Sequence, residues 1–532
     1  MSKVVKIPFD KTSYFSKTVV DYLLQKEELK PFYGYFPTIE NFSNQIKLKE
    51  KFPIKNREVL VASLTEQYKS FSVSKSVHHN INSLLSKKTF TVTTGHQLNL
   101  FTGPLYFLYK IIATINLSKR LKKQYPDYYF VPIYWMATED HDFEEINYFN
   151  FKNKKFQWIK DAKGAVGRLD TNGLEKVYKT FEKALGVGKN ATFLKDLFYK
   201  AYCEHDNLSD ATRFLANELF KHEGLVIVDA DKKELKELFI PYLSNELESQ
   251  TSFKEVSKTI NALSKNYKIQ VNPREINLFY LIDNLRERIL FNTEGYSVNN
   301  TSITFTKDEI LTELKNHPER FSPNVIMRPL YQEVILPNLA YIGGGGELAY
   351  WFELKNYFKA VQVPFPILML RDSVLLMRRK QYKKIEKLGI SISDLFLPQA
   401  VLVKKIVVKN SNLDLDFSAQ KQFLREQFVA LKKMAVQTDK SFIGAVLAQE
   451  KKQLNGLDNL EKRILKAEKK KLASLVERVV KLQNDLFPNL SLQERQINFS
   501  EFYIDYGNDL KEELIANINP LKMQFSVLIL SL

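Results

Sequence analysis

The chain has 532 residues, a formal net charge of +17 from 78 Lys and Arg against 61 Asp and Glu, and one cysteine, Cys203. The length predicts about three domains. A hydrophobic content of 44% excludes a disordered chain or a fibre. One cysteine excludes an intramolecular disulfide framework and a cysteine-based zinc cluster.

The sequence predicts a cytoplasmic protein without a membrane partner. No window holds 18 consecutive apolar residues, and the first residues lack the apolar segment of a signal peptide. The positive charge permits nucleic-acid or phosphate-bearing partners without selecting either. No block of five or six consecutive basic residues occurs, so nucleic acid is the less favoured partner.

A strand–helix–strand unit follows about 88 residues of helical and irregular character. Thr89–Thr94 alternates β-branched residues, which is typical of a strand. Thr102 and Pro104 predict the N-cap and first turn of a helix that continues to about Leu121. The continuous apolar run 128–135 is typical of a parallel strand that is buried on both faces. These elements predict a βαβ unit.

Strand patterns recur along the chain between more polar segments. Pro132, inside the second strand, predicts an edge position or a bulge. Buried strands are also predicted at 224–229, 277–283 and 361–376, and the run 525–532 fits a buried last strand. Strands that alternate with helices predict an α/β domain with a mainly parallel sheet.

The C-terminal part carries long helices with a heptad-like apolar pattern. Two runs step by three and four residues, at 457, 460, 464, 467 and at 472, 475, 479, 482, 486. A five-residue step between Ala467 and Leu472 interrupts the pattern, and Pro488 ends it. The pattern predicts a coiled coil or a helical hairpin.

These patterns divide the chain into seven segments. In order they are a first core part (1–150), a first insertion (151–221), more core (222–285), a second insertion (286–321), more core (322–411), a helical coiled coil (412–487) and a segment that returns to the core (488–532). Within the second insertion, a helix is predicted to begin with Thr306 or Asp308 as its N-cap.

The first candidate site is Thr94-Gly95-His96-Gln97, at the end of the first predicted strand. Gly95 lets a ligand approach the backbone closely. The N-terminus of the following helix favours phosphate, and His96 and Gln97 can donate hydrogen bonds to a developing negative charge. The segment predicts a binding site for substrate or nucleotide.

The second candidate site is Glu139-Asp140-His141-Asp142, which follows the next strand. In open α/β sheets, ligands bind outside the carboxyl ends of strands, so we expect this segment and 94–97 to meet over a shared crevice. The four side chains can hold Mg²⁺, orient a substrate amine or transfer a proton, and these roles stay open. An N-cap with exposed acids is the structural alternative.

Two later segments predict anion binding. Arg328 precedes a proline in apolar surroundings and predicts a pair with Glu333 or with an anionic ligand. Four glycines, 343–346, precede a helix that begins near Glu347, and they predict an anion cradle or a tight turn. Arg371 follows another predicted strand and is expected at the same rim.

Blocks that run in order from about 90 to 495 resemble the BshC family of bacillithiol biosynthesis. They are Thr94–Gln97 with Lys110, Pro132–Asn147, Asn277–Asp283, Asn324–Glu333, Gly345–Lys355 and Leu492–Arg495. One departure is His96, where members of that family commonly have Gln. The resemblance therefore does not imply an essential acid–base role for His96.

The resemblance implies a Rossmann-like parallel core related to class I aminoacyl-tRNA synthetases, two connecting-peptide-like insertions and a C-terminal coiled coil that forms a homodimer. It implies a ligase that adds L-cysteine to glucosaminyl-malate in the last step of bacillithiol biosynthesis. Joining a carboxylate to an amine needs an activated carboxyl group, so ATP or ADP is the expected cofactor, and Mg²⁺ can accompany it. On this basis catalysis is assigned to Glu139, Asp140, His141 and Asp142, and substrate or nucleotide binding to Thr94, Gly95, His96, Gln97, Arg328, Gln332, Gly345, Gly346, Glu347 and Arg371. No residue is assigned as a metal ligand.

Two other functions stay open from the sequence. A tRNA- or nucleotide-binding protein with a synthetase-like core and no ligase activity is favoured by the charge of +17. A non-catalytic scaffold that dimerises through 412–487 is favoured by the heptad pattern. The sequence also leaves open whether a carboxyl group is activated as an acyl-adenylate or as an acyl-phosphate.

Overall fold

The computed structural model describes residues 3–531, with the side chain of Lys440 excepted. Its strands are β1 Lys3–Ile7, β2 Thr89–His96, β3 Tyr129–Met136, β4 Tyr148–Phe151, β5 Lys154–Gln157, β6 Val226–Asp229, β7 Leu278–Ile282, β8 Leu285–Asn292, β9 Gly295–Val298, β10 Thr304–Phe305, β11 Phe321–Pro323, β12 Asn338–Gly343, β13 Ile367–Leu370, β14 Val374–Arg378 and β15 Phe525–Leu530.

Helices account for most of the remaining chain. They are α1 Lys17–Leu23, α2 Asn41–Lys49, α3 Ile54–Gln67, α4 Lys75–Ser83, α5 Tyr106–Gln124, α6 Phe143–Ile146, α7 Leu174–Leu185, α8 Lys189–Cys203, α9 Leu208–Phe220, α10 Lys233–Glu237, α11 Ile240–Ser249, α12 Thr251–Leu263, α13 Lys307–Asn316, α14 Arg328–Ile335, α15 Gly345–Glu353, α16 Lys355–Ala360, α17 Arg379–Leu388, α18 Gln399–Asn410, α19 Ser418–Val436, α20 Lys440–Lys471, α21 Ala473–Leu486, α22 Ser500–Tyr506 and α23 Asp509–Asn517.

A five-stranded parallel sheet forms the core, in the order β13-β12-β2-β3-β6. All eight residues of β2 are buried, as expected for a central strand covered on both faces. α5 connects β2 to β3 and packs on both strands, which confirms the predicted βαβ unit. The Rossmann-like α/β core expected from the sequence is therefore present.

Pro132 lies in an internal strand, because β2 and β6 flank β3. The register with β2 continues through Pro132, whereas pairing with β6 begins only at Ile133. The missing N–H group of the proline thus falls where β3 has a neighbour on one side only. No bulge interrupts the pairing with β2 at Pro132. On its β6 side, β3 is unpaired up to Pro132 and paired from Ile133 onward.

A separate five-stranded antiparallel sheet, in the order β10-β9-β8-β7-β11, lies outside the core. The strand predicted at 277–283 is β7 of this sheet, so its assignment to the core was wrong. A short buried apolar run is equally compatible with either sheet, and only its pairing with β8 decides the matter. Thr306 caps α13 in a capping box with Glu309, which selects Thr306 over Asp308.

The third sheet brings the two chain ends together, in the order β1-β15-β14. The predicted last strand is confirmed as β15, while Leu532 lies outside the described residues. The single strand predicted at 361–376 is in fact β13 and β14, which belong to different sheets. The break between them contains Arg371, and it places this side chain at the carboxyl end of the core sheet.

The helix predicted to start with Thr102 as its N-cap instead starts at Tyr106. Phe101 and Thr102 have left-handed backbone conformations, with φ of 48° and 69°. The ring of Phe101 is fully buried and packs against Phe149, Phe181, Phe198 and Phe499. This burial stabilises the turn before the helix, so local capping preference does not set the helix start.

The C-terminal helices form a long hairpin. α19 packs along α20 through an apolar cluster that includes Phe428, Ala435 and Val446. α20 ends at Lys471 and α21 begins at Ala473, which confirms the interruption predicted from the heptad pattern. None of the helices within residues 3–531 is long and apolar enough to cross a membrane. The cytoplasmic location stays a prediction.

A buried ion pair joins the N-terminal helices to the core, and its removal should destabilise the fold. Lys49 Nζ on α2 lies 2.7 Å from Glu333 Oε2 on α14, and the two side chains are 2% and 0% exposed. Lys49→Met leaves an uncompensated buried carboxylate, so we expect the free energy of unfolding to fall by about 3 kcal/mol. Urea unfolding of Lys49→Met and of the exposed control Lys47→Met measures this. Equal stabilities would contradict the role of the pair.

Candidate active site

A cavity of about 720 Å³ opens at the carboxyl ends of the parallel strands. Each core strand contributes residues to its wall. They are 95–97 from β2, 136–142 from β3, Ala230 after β6, Gly344 after β12 and Arg371 after β13. β7, β8 and the residues after β11 line the opposite wall. This is the edge at which open α/β sheets bind ligands.

The two segments predicted to share a crevice do meet in this cavity. Gln97 Nε2 donates hydrogen bonds to Asp140 Oδ2 and to Glu145 Oε2, each at 2.9 Å. The amide of Gln97 is therefore committed to carboxylates and does not face a ligand as a free donor, contrary to expectation. Its contacts fix the first candidate segment against the second.

His96 is buried, and the atom that it leaves for a ligand is an acceptor, Nε2, whereas the sequence suggested a donor. Its Nδ1 lies 2.8 Å from the Gln97 carbonyl oxygen and so carries the proton, which leaves the lone pair on Nε2. Nε2 is buried and has no partner among residues 3–531. Burial, reinforced by nearby Lys110, lowers the pKa of His96 to about 3. The imidazole is neutral at physiological pH.

In the acid cluster the side chain of Glu139 is largely buried, whereas His141 and Asp142 are exposed. Glu139 pairs with Lys236, whose side chain is fully buried. Burial raises the pKa of Glu139 to about 7, although Lys236 opposes this shift. Burial and the neighbouring Asp140 also raise the pKa of Asp142. All three carboxylates line the cavity.

His141 faces the antiparallel sheet. Arg286 Nη1 on β8 donates to His141 Nδ1 at 2.5 Å, so the imidazole carries its proton on Nε2. The backbone N–H of His141 donates to Asp140 Oδ1 at 2.8 Å. One ligand atom from each of Asp140, His141 and Asp142 can lie within 4.8 Å of the others. Carboxylate oxygens suit Mg²⁺, so metal binding at this cluster stays a prediction.

Arg328 does not pair with Glu333 as predicted, because Glu333 is taken by Lys49. Arg328 Nη1 donates to Gln332 Oε1 at 3.1 Å, and its guanidinium lies over the rings of Trp135 and Tyr341. Its Nη2 is buried and has no hydrogen-bond partner in the described part of the chain. Because buried donors are nearly always paired, this nitrogen fits an anionic ligand.

The backbone of the glycine segment already binds a carboxylate of the protein itself, that of Glu347. Glu347 Oε2 accepts from the N–H of Gly344 at 2.7 Å and lies 2.6 Å from Lys110 Nζ. Its other oxygen accepts from the Tyr341 hydroxyl at 2.6 Å. The carboxylate thus occupies the start of α15, where the sequence predicted a cradle for a ligand.

The remaining predicted binding residues divide between the wall and the supporting structure. Arg371 lines the cavity, pairs with Glu494 at 2.7 Å and keeps a buried Nε without a partner among residues 3–531. Gly95 and Gly346 also line it. Thr94, Gln332 and Gly345 do not: Thr94 donates to the Ile342 carbonyl, Gln332 holds Arg328, and a Cβ at Gly345 would lie 2.9 Å from Val19.

Family models for two domains match nearly the whole chain. "Bacillithiol biosynthesis BshC, N-terminal Rossmann-like domain" matches residues 2–372, and the C-terminal coiled-coil domain of the same family matches residues 374–530. The chain belongs to the BshC family. Its cavity combines both matched regions, because Arg371 comes from the first and Arg495 from the second.

Relatives in this family carry the name "Putative cysteine ligase BshC". Those from Flavobacterium johnsoniae and Christiangramia forsetii are 58% identical over 523 and 528 residues, covering 98% of this chain and 99% and 98% of theirs. That from Flavobacterium psychrophilum is 56% identical over 524 residues, with 98% of each chain covered. A solved structure described as an arginyl tRNA synthetase of Campylobacter jejuni covers 84% of this chain and 98% of its own, with 11% identity and a TM-score of 0.22, too low to support an argument.

Most of the positive charge in the BshC cavity was missed by the sequence predictions. Seven cationic side chains line it against four carboxylates, and five of the seven were not assigned: Lys110, Arg274, Arg286, Arg288 and Arg495. Arg286 and Arg288 are two residues apart on β8 and so share one face of the sheet. The sequence shows this spacing, but it indicates a shared face only once residues 285–292 are known to form a strand. The excess of positive charge favours anionic ligands.

Neutral His96 should make the protein sensitive to acid. Its folded pKa of about 3 lies below the ordinary value of 6.5, so its contribution to stability is complete above pH 6.5 and is lost as pH falls toward 3. Between pH 7.5 and 5.5 this group alone should lower the free energy of unfolding by about 1 kcal/mol. Denaturant unfolding at both pH values should show a smaller change in His96→Gln than in wild type, whereas the exposed control His222→Gln should match wild type. Equal pH dependence in all three proteins would show that His96 is not held neutral.

Proposed function

We propose that this chain is a nucleotide-dependent ligase that joins the carboxyl group of L-cysteine to the amine of glucosaminyl-malate, the last step of bacillithiol biosynthesis. The names of its relatives support a cysteine ligase. The observation that carries the proposal is the single cavity in which two buried, partly unpartnered guanidinium groups, Arg328 and Arg371, face an acid cluster. Amide formation by carboxyl activation needs both kinds of group.

The proposed reaction has two steps, activation of the carboxyl group and attack by the amine. The cysteine carboxylate attacks a nucleoside triphosphate and forms either an acyl-adenylate with release of pyrophosphate or an acyl-phosphate with release of ADP. The amine then attacks the acyl carbon, a C–N bond forms, the phosphate-bearing group leaves and the amine loses a proton. Negative charge develops on phosphate and carbonyl oxygens, and Arg328 Nη2 and Arg371 Nε are buried donors that suit it.

Asp142 suits the role of the base in the second step. Its carboxylate is the one in the cluster with no hydrogen bond among the described residues, and its pKa is raised by burial and by Asp140. A raised pKa brings a carboxylate closer to the value that efficient proton transfer near neutral pH requires. Asp140 is instead held by Gln97 and by the backbone of His141, which suits positioning.

The malate part of the substrate carries two carboxylates, and two arginines at the opposite wall suit them. The side chains of Arg274 and Arg288 line the cavity and have no hydrogen bond or ion pair among residues 3–531. An arginine fork binds a carboxylate through two parallel hydrogen bonds. This charge also supports a nucleotide in the same cavity, with Mg²⁺ at the acid cluster as part of the proposal.

A ligase assay tests the proposed function and the site together. Purified protein with cysteine, glucosaminyl-malate, ATP and Mg²⁺ should form the amide product, and Asp142→Asn and His141→Ala should lower kcat about 100-fold. Asp161→Asn, an exposed acid outside the cavity, is the matched control and should act as wild type. Wild-type turnover by both site variants would refute the assignment of catalysis to this cluster. No product with any nucleotide, together with salt-dependent retention of tRNA, would favour the alternative function.

We also propose that two copies of the chain associate through the helical hairpin. The face of α19 and α20 turned away from their shared apolar cluster carries large exposed side chains, among them Phe423 (64% exposed), Met434 (63%) and Phe442 (54%). Hairpins with one buried seam and one exposed apolar face gain stability when a second copy covers that face. A homodimer is therefore the expected assembly.

Charged substitutions on that apolar face should weaken dimerisation. The double variant Phe423→Lys/Met434→Lys should weaken dimerisation at least tenfold, because lysines would have to be buried without partners. Sedimentation velocity over a range of concentrations measures this. Val187→Lys replaces an apolar residue that is even more exposed (98%) and lies outside the hairpin, and it is the control. A monomeric wild type, or a double variant that dimerises normally, would contradict the proposal.

A further inference from the structure

A second cavity, of about 380 Å³, adjoins the large one and shares Gln97, Tyr106 and Arg495 with it. Its other walls come from the turn before α5 (Asn99, Gly103 and Pro104), from Glu145 on α6, from β4, and from Gln496. Gln97, which donates to Asp140 of the acid cluster, thus lies at the boundary between the two cavities.

The two cavities differ in chemistry. Seven cations line the large cavity, whereas Arg495 is the one cation on the wall of the small one. The other polar groups of the small cavity are carboxamides (Gln97, Asn99, Asn150 and Gln496), phenols and the carboxylate of Glu145. Carboxamides and phenols both donate and accept hydrogen bonds, as the hydroxyl groups of a sugar do. The small cavity therefore suits a neutral polyol.

The shared wall adds a site for a positive charge. Gln97 Nε2 contacts Asp140 Oδ2 and Glu145 Oε2 together, which places two carboxylates on either side of one amide. Neither has a Lys or Arg ion pair among residues 3–531, although Arg286 lies near Asp140 and Arg495 lines the same wall as Glu145. A primary ammonium group supplies the donors that such a pair of carboxylates lacks.

A buried acceptor gives independent support for a ligand with hydroxyl groups. Asn99 is 7% exposed, lines the small cavity, and donates through Nδ2 to the carbonyl oxygen of Glu145 at 3.3 Å. Its Oδ1 is buried and has no partner in the described part of the chain. Leaving such an oxygen unpaired costs about 1–3 kcal/mol, which a hydroxyl donor from a ligand would offset.

We infer that the small cavity binds the hexosamine half of the substrate, with its free amine at Glu145 and Asp140 and its hydroxyl groups on the carboxamides. This inference rests on the proposed function for the identity of the amine-bearing substrate. The dicarboxylate half would then extend into the cation-rich cavity, and the amine would stand at the boundary where the activated carboxyl group arrives. Glu145, which lies in the block 132–147 but was assigned no role from the sequence, becomes a specificity-determining residue.

Binding of simple glycosides tests the inference without catalysis. Methyl glucosaminide and methyl glucoside differ only in the amine, so wild type should bind the glucosaminide about tenfold more tightly in NMR titrations. Glu145→Gln should reduce this preference to less than about twofold, and Glu145→Asp should restore part of it. Glu144→Gln, the neighbouring exposed acid on α6 that lines neither cavity, is the matched control and should keep the preference.

The ligase assay distinguishes a failure of this inference from a failure of the proposed function. In the ligase assay, Glu145→Gln should raise KM for glucosaminyl-malate about tenfold and leave KM for cysteine unchanged. Product formation together with an unchanged glycoside preference in Glu145→Gln would overturn the inference alone. No product from wild type, with a preference that Glu145→Gln abolishes, would overturn the ligase function and leave the amine site standing. No binding of either glycoside to wild type would overturn the inference.

Discussion

The cavity depends on one internal ion pair between Lys110 and Glu347. Lys110 on α5 donates to the Gly95 carbonyl at 2.7 Å and lies 2.6 Å from Glu347, so it ties the end of β2 to the start of α15. Burial alone would raise the pKa of Glu347, but Lys110 and the other donors outweigh it and hold that pKa below its ordinary value. Burial lowers the pKa of Lys110. Each charge makes the other tolerable in a buried position.

This ion pair determines which positive groups remain for a ligand. With Glu347 at the start of α15, the helix N-terminus and Lys110 are already neutralised. Among the buried guanidinium groups of the cavity wall within residues 3–531, Arg328 Nη2 and Arg371 Nε lack hydrogen-bond partners, while other nitrogens of the two side chains bond to Gln332 and Glu494. The protein therefore fixes each guanidinium through one set of contacts and leaves one nitrogen of each free to donate to a ligand. Such preorganised donors contribute most to transition-state stabilisation because they need no reorientation.

The sequence predicted the core and the location of the cavity, but not the partners inside it. Apolar and β-branched runs predicted β2 and β3 because a central parallel strand is buried on both faces. The strand-end rule then brought 94–97 and 139–142 together. Pairing across 150 residues or more is not written in local pattern. Hence Glu333, which was one of two partners expected for Arg328, pairs with Lys49, 284 residues away. β7 was assigned to the wrong sheet for a different reason: its partner β8 follows after two residues, but a short buried apolar run fits a core strand equally well.

His96 shows why a residue type alone does not predict a role. As a histidine beside a strand end it suggests proton donation or transfer, yet its Nδ1–H is used by the Gln97 carbonyl and its pKa lies near 3. What remains at the cavity is an uncharged acceptor, Nε2, buried beside the stacked ring of Tyr106. A glutamine carbonyl oxygen offers the same acceptor, so Gln would suit this position equally well. The position therefore supplies an acceptor that suits a hydroxyl or amine group, and the proton transfer proposed for this site is left to the carboxylates that line the cavity.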